Sequence, residues 1–245
     1  MQQAEFLTFL YGASAGFSLL AGGVLAWWLE PGRRVLSWFL GFSAGALIAS
    51  TSAGLVEEAY QHGGLDATAV GLLAGAGLYY AAHFFLPAHP DAEGPHMAGV
   101  AEKGQVGRAI LAAAVLDGFP EQLVIGVTSR LGTALALTLA VAVAITNLPE
   151  ALVATRSLSR SIPRARVLLL WLGLGLGGTA VTMLGYTFSH HLTGDLFAAL
   201  LGLAAGAVVA MVADTLLPEA FRGGGHFVSL VTVFGFLVGF ALSRL

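Results

Sequence analysis

Apolar runs of about 20 residues, the length needed to cross the hydrocarbon core of a bilayer, recur along the chain and are separated by short clusters of turn and charged residues. Eight are found, at about 5–29, 35–58, 67–87, 108–129, 132–156, 166–188, 195–220 and 226–244. The breaks fall at Pro31-Gly-Arg-Arg, His62-Gly-Gly, the polar stretch 88–107, Arg130-Leu-Gly, Arg160 to Arg166, Ser189-His-His and Arg222-Gly-Gly-Gly. The pattern predicts an all-α integral membrane protein, with eight transmembrane helices in a single domain over 1–245.

Composition agrees. The chain is 57% hydrophobic and 10% charged, with a mean hydropathy of +0.82, whereas soluble domains carry about 25% charged residues. A net charge of −3 gives no nucleic-acid signal, and the absence of cysteine excludes disulfides and thiolate metal ligands. The opening Met-Gln-Gln-Ala-Glu lacks the basic region of a signal peptide, and no small-residue cleavage site follows Leu29. The first run is therefore expected to remain as a helix.

The basic residues set an orientation. Arg33, Arg34, Lys103, Arg108, Arg156, Arg160, Arg164, Arg166 and Arg222 fall on one side, and Arg130 and Arg244 on the other. The positive-inside rule then puts both termini outside the cytoplasm of a cell-membrane protein, and loop 88–107 inside.

Two apolar runs are interrupted by similar clusters, Asp117-Gly-Phe-Pro-Glu121 and Thr146-Asn-Leu-Pro-Glu150. A carboxylate at such depth costs at least about 2.5 kcal/mol on insertion scales, which makes it a functional candidate. Each proline also removes a donor, freeing the carbonyls of Leu116 and Ile145. Acid, freed carbonyl and kink together suggest a cation site built on broken helices.

The chain also repeats itself. Residues 41–59 align without gaps on 202–220; eight of the nineteen positions are identical, among them Glu58 with Glu219. Pro120-Glu-Gln-Leu-Val is echoed by Pro149-Glu-Ala-Leu-Val. On the orientation above, the paired spans run in opposite directions. Spans 1–3 are thus expected to mirror 6–8 around the pair 4–5, a 3+2+3 inverted repeat of the kind that places substrate near the membrane midplane.

These motifs resemble the ZIP (ZRT/IRT-like) family of divalent metal transporters. Its fourth and fifth helices carry patterns like H-N-x-P-E-G and H-E-x-P-E-G, and its seventh often ends D-E-x-x-P-E. The matching stretches here are Asp117 to Gln122, Thr146 to Ala151 and Asp214 to Glu219. The resemblance implies eight spans with both termini outside, and a metal site between helices 4 and 5. The departures are Asp117 and Thr146 for the two histidines, Gly118 for the asparagine, and Thr215 for the second acid of helix 7.

The candidate ligands are Asp117, Glu121, Asn147, Glu150 and Asp214. Helical spacing puts Asp117 with Glu121, and Thr146 with Glu150, on common faces, with Asn147 leaning toward Glu150. A divalent cation would displace protons from such a carboxylate cluster, so metal entry and proton release are coupled. The oxygen-rich set widens the expected substrate from Zn2+, which the resemblance favours, to Mn2+ or Fe2+. No resident cofactor and no catalytic residue are expected; without H-E-x-x-H a zinc protease is excluded. A protein of this fold that binds or senses metal without transporting it is the alternative.

Blander uses stand beside these. Thr146 fits a bond back to the Ala142 carbonyl, Asn147 fits satisfaction of a kinked backbone, and Ser50, Thr51 and Ser52 fit either interhelical packing or a pathway lining. His83, His89 and His96 lie near or in loop 88–107, where they would meet released metal; His190 and His191 would stand at the entrance. The spacings Gly12/Gly16, Gly41/Gly45, Gly71/Gly75, Gly173/Gly177, Gly202/Gly206 and Gly235/Gly239 predict close helix packing. They permit a homodimer without singling out a face for one. Beyond this, the partners expected are the lipid bilayer and the metal ion.

Overall fold

A computed structural model describes residues 2–29, 31–85, 118–159 and 162–244, and all regular structure among them is helical. The helices are α1 (Gln2–Leu25), α2 (Arg33–Ser50), α3 (Glu57–Phe85), α4 (118–128), α5 (Thr133–Leu158), α6 (Arg164–Ser189), α7 (Gly194–Met211), α8 (Leu217–Gly224) and α9 (Phe227–Leu242). Five stretches among the described residues are long and apolar enough to cross a membrane: Gln3–Leu25, Arg33–Ala82, Ala134–Arg156, Arg164–Ser189 and Gly194–Gly224. Arg33–Ala82, at 50 residues, is long enough for two passes of about 20. Phe227–Leu242 is apolar but shorter, at 16 residues. The set is consistent with a multi-pass membrane protein. The first half of the expected fourth span, 108–117, and the loop 88–107 lie outside the described residues.

Span 2 does not stop near residue 58. It runs through a widened, π-helical turn at Thr51–Val56 and on into α3, leaving helical geometry at Gly64 with φ 67° and ψ −169°. That region is essentially closed to residues with a Cβ, so glycine is required. The break expected at His62-Gly-Gly is therefore found within those residues, as a change of direction at Gly64 alone. Span 7 does the same thing. α7 passes through a widened turn at Val212–Leu216 into α8, which ends at Gly225 with φ 64° and ψ −160°. Both features recur at a spacing of 161 residues, from 51 to 212 and from 64 to 225, the offset at which 41–59 aligns on 202–220.

The packing follows the same pairing. α3 lies along α7, and α2 along α9. A Cβ at Gly75 of α3 would run into the Leu203 carbonyl of α7, and one at Gly235 of α9 into the Phe42 carbonyl of α2. Gly206 meets the Leu72 carbonyl, and Gly45 that of Thr232, in the same way. α1 packs on α5 and α6, with Gly16 and Gly175 backbone against backbone. Within lipid there is no hydrophobic force to bring helices together, so such backbone approach supplies the dispersion contact that holds them. One expected pair fails: nothing lies within 4 Å of a Cβ at Gly173 or Gly177. Spacing alone does not say which face of α6 is turned inward; Gly175 and Gly178, on the other side, make the contacts.

The core is formed by Leu47, Leu55, Ile125, Leu139, Val143, Phe197, Leu201 and Met211, all at most 1% exposed. A second cluster, with Leu158, Val167 and Trp171, joins α5 to α6. There the indole Nε1 of Trp171 donates to Thr155 Oγ1 at 2.7 Å.

Because Gly75 faces a carbonyl and Gly77 faces open space, their alanine variants should separate. Gly75→Ala is expected to lower stability by about 1–3 kcal/mol through forced helix separation, measured by denaturant titration in detergent micelles. Gly77→Ala is expected to leave it unchanged or slightly raised. Equal behaviour of the two variants would contradict the α3–α7 packing.

Candidate metal centre

α4 and α5 carry the two Pro-Glu motifs, at Pro120-Glu121 and Pro149-Glu150. Glu121 is 3% exposed and Gln122 4%, on the inner side of α4, while Phe119 at 53% faces outward. On α5, Thr146 is 1% exposed and Asn147 4%, and Glu150 is half-buried. Thus both glutamates sit on inward-turned stretches, with Glu121 the more enclosed. Asp214 is exposed, on the widened turn Val212–Leu216. Glu121, Glu150 and Asp214 each engage in further contacts.

The neutral groups are more fully placed. Thr146 Oγ1 donates to the Ala142 carbonyl at 3.0 Å, one turn back, the bond expected of a buried threonine in a helix. Asn147 Nδ2 donates to the Ala15 carbonyl of α1 at 2.8 Å. The asparagine therefore ties α5 to α1, not to its own backbone as expected, and the kink expected at Pro149 is absent, since α5 is continuous from Thr133 to Leu158. That bond uses the amide nitrogen and leaves the oxygen, the atom a cation would take, at the other end of the group.

Gln122 was not singled out from the sequence, yet it plays a similar part on α4, from the position that matches Ala151. Thr182 Oγ1 of α6 stands 2.6 Å from its Oε1 and 2.9 Å from its carbonyl. Gly178 makes room, since a Cβ there would come within 3.0 Å of the glutamine side chain. Each motif helix is thus anchored to a neighbour by a polar side chain adjoining its own motif. The readable signal was a second buried amide beside a Pro-Glu pair, which lipid exposure would penalise.

The turn that bears Asp214 has a cause in the sequence. Pro218 has no N–H and its ring opposes the carbonyl four residues back, that of Asp214. The ladder widens instead, and Leu217 N–H reaches the Val212 carbonyl five residues back. Widened turns of this kind occur frequently at functional sites. Thr215 on the same turn has its hydroxyl 2.9 Å from the phenol oxygen of Tyr79, a buried residue of α3. Thr215 thus ties the widened turn to the adjacent helix.

Among the described residues, no three of His, Asp and Glu lie close enough together to hold a metal ion. Asp117, expected to complete the carboxylate set with Glu121, Glu150 and Asp214, lies outside the described residues, as do His89 and His96. The terminal acids of the repeat have surface partners. Glu219 stands 4.0 Å from Arg33 and 3.5 Å from Arg222, and Glu58 stands 3.8 Å from His62. His190 Nδ1 is bonded to the Tyr186 carbonyl at 2.8 Å. Arg130 donates to the carbonyls of Ser189 and Leu192 and covers the Phe197 ring at 4.3 Å, so it closes the end of α6.

Neither a scan against models of protein families nor a search of curated proteins finds a match to the chain.

Asn147→Ala should remove the α5–α1 tie and lower stability by about 1 kcal/mol, the range measured for interhelical hydrogen bonds in membranes. Denaturant titration in micelles reads it, and an unchanged midpoint would mean that the bond contributes nothing.

Proposed function

We propose that this chain is a ZIP-like transporter of divalent metal cations, with eight spans in a 3+2+3 inverted repeat and both termini outside the cytoplasm. The observation that carries the reading is the recurrence of a widened turn and a Gly-only bend at one spacing of 161 residues, on either side of a pair of helices that themselves repeat a Pro-Glu motif. Many transporters built from inverted repeats frame a midplane substrate site at the interface between the repeats. The burial of Glu121 supports the same reading, because an ionisable residue inside a membrane bundle is costly and marks a functional site by default.

In this reading Glu121 and Glu150 bind the ion, with Asp117 and Asp214 completing the acidic set and the Asn147 oxygen as a neutral donor. The metal is cargo, drawn from Zn2+, Mn2+ and Fe2+, and moves toward the cytoplasm as the bundle holding α1, α4, α5 and α6 shifts against the rest. Carboxylate, amide and carbonyl oxygens form a harder set than imidazole would, which favours Mn2+ more than a histidine site does.

A second reading is a protein of the same fold that binds or senses metal without moving it. It is favoured by the engagement of Thr146 and Asn147 with backbone acceptors, which holds α5 in place. Purified protein in liposomes with a metal-sensitive dye inside distinguishes the two. Transport predicts Zn2+ or Mn2+ entry that falls at least about tenfold in Glu121→Gln and in Glu150→Gln, since even an outer partner of a metal ligand is worth 10–100-fold. Metal binding by equilibrium dialysis with no flux of any divalent ion would favour the second reading.

A further inference from the structure

α2 and the first residue of the widened turn that follows it bury three hydroxyls that have no hydrogen-bond partner among the described residues: those of Ser43, Ser50 and Thr51. All three residues are 0% exposed. Serine and threonine inside a helix ordinarily bond the carbonyl of the preceding turn, as Thr146 does here. A buried polar group left unpaired opposes folding, so its presence needs a reason.

Span 7 supplies an internal control. At the offset of 161 residues the matching positions are Ala204, Met211 and Val212, all buried and all apolar. Span 7 nonetheless makes the same widened turn and the same glycine contacts. The fold of this unit therefore does not require hydroxyls at these places. Only one of the two halves has them.

Their place on the helix is informative. Gly41 and Gly45 turn toward α9, against Val228 and Thr232. At about 100° per residue, Ser43 and Ser50 stand roughly half a turn away, on the opposite face. Gly54, farther along that face, meets Leu135 of α5. α2 packs on α5, the helix that carries Asn147 and Glu150, and the contact at Gly54 shows that the face bearing the two serines is the one turned toward it.

We infer that Ser43 and Ser50 line the route of the cation and lend it hydroxyl oxygens as it sheds water on its way to or from Glu150. This rests on the transport reading above. A hydroxyl suits such a task because it offers lone pairs without a charge, so it replaces a hydration water without trapping the ion. Thr51, next along the chain, extends the same polar stretch into the widened turn.

The chain contains no cysteine, so single replacements give clean reporters. In Mn2+-loading liposomes, the double variant Ser43→Ala/Ser50→Ala is expected to lower the uptake rate about fivefold, the worth of one or two lost neutral ligands. Its unfolding midpoint should stay the same or rise. Thr232→Val removes an unpartnered buried hydroxyl on α9, turned to the opposite side of α2, and should leave uptake unchanged. In Ser43→Cys and Ser50→Cys, labelling by a small thiol reagent should slow when Zn2+ is present. Uptake of the double variant within twofold of the parent, or labelling indifferent to Zn2+, overturns the inference while loss of uptake in Glu121→Gln leaves the transport reading standing. Absence of uptake by the parent protein, or full uptake in both Glu121→Gln and Glu150→Gln, overturns the transport reading and this inference with it.

Discussion

Inside hydrocarbon every backbone N–H and C=O must find a partner within the protein, and no water is present to drive helices together. This constraint explains most of what the chain does. Helices are held by bringing backbones into contact, at Gly16 against Gly175 and at Gly75 against the Leu203 carbonyl. Ahead of Pro218 the helical ladder is widened and not opened, so that Leu217 still finds the Val212 carbonyl. Polar side chains at depth are mostly spent on neighbouring backbones, as Asn147 is on Ala15 and Thr182 on Gln122.

The same constraint decides what was legible in the residues. Long apolar runs have no alternative to helix, so spans such as 132–156 and 166–188 agree with Thr133–Leu158 and Arg164–Ser189 to within two residues. The repeat between 41–59 and 202–220 was also readable, because packing had kept the glycines in register. Thr146 showed its bond to Ala142 in advance, since a short hydroxyl in a buried helix has few other options. What escaped was anything set by the partner helix. Glycine spacing marked Gly173 and Gly177, but only the neighbour of α6 determines that Gly175 is the contact. The widened turn in span 2 was hidden for a related reason. Pro218 announces the one in span 7, whereas Thr51–Val56 contains no proline and has no local sequence signal. The candidate site was legible in part: Glu121 is enclosed as a membrane acid should be, while the reach of Asn147 across to α1 depends on a residue 132 positions distant in sequence.

The two matched units are alike in shape and unlike in chemistry. Both have the widened turn, the Gly-only bend and the close glycine approach, which are requirements of backbone packing in lipid. They differ in the side chains set on that frame. One turn bears Asp214 and ties Thr215 to Tyr79, and its counterpart has Ala53 and Gly54 at those places. One helix buries Ser43 and Ser50, and its counterpart buries Ala204 and Met211. Placed as they are, the acid and the hydroxyls lie on different halves, so a cation passing between them would meet charge from one side and neutral oxygen from the other. That division suits transit, because an ion surrounded by acids alone would bind and stay, and one surrounded by hydroxyls alone would not leave water.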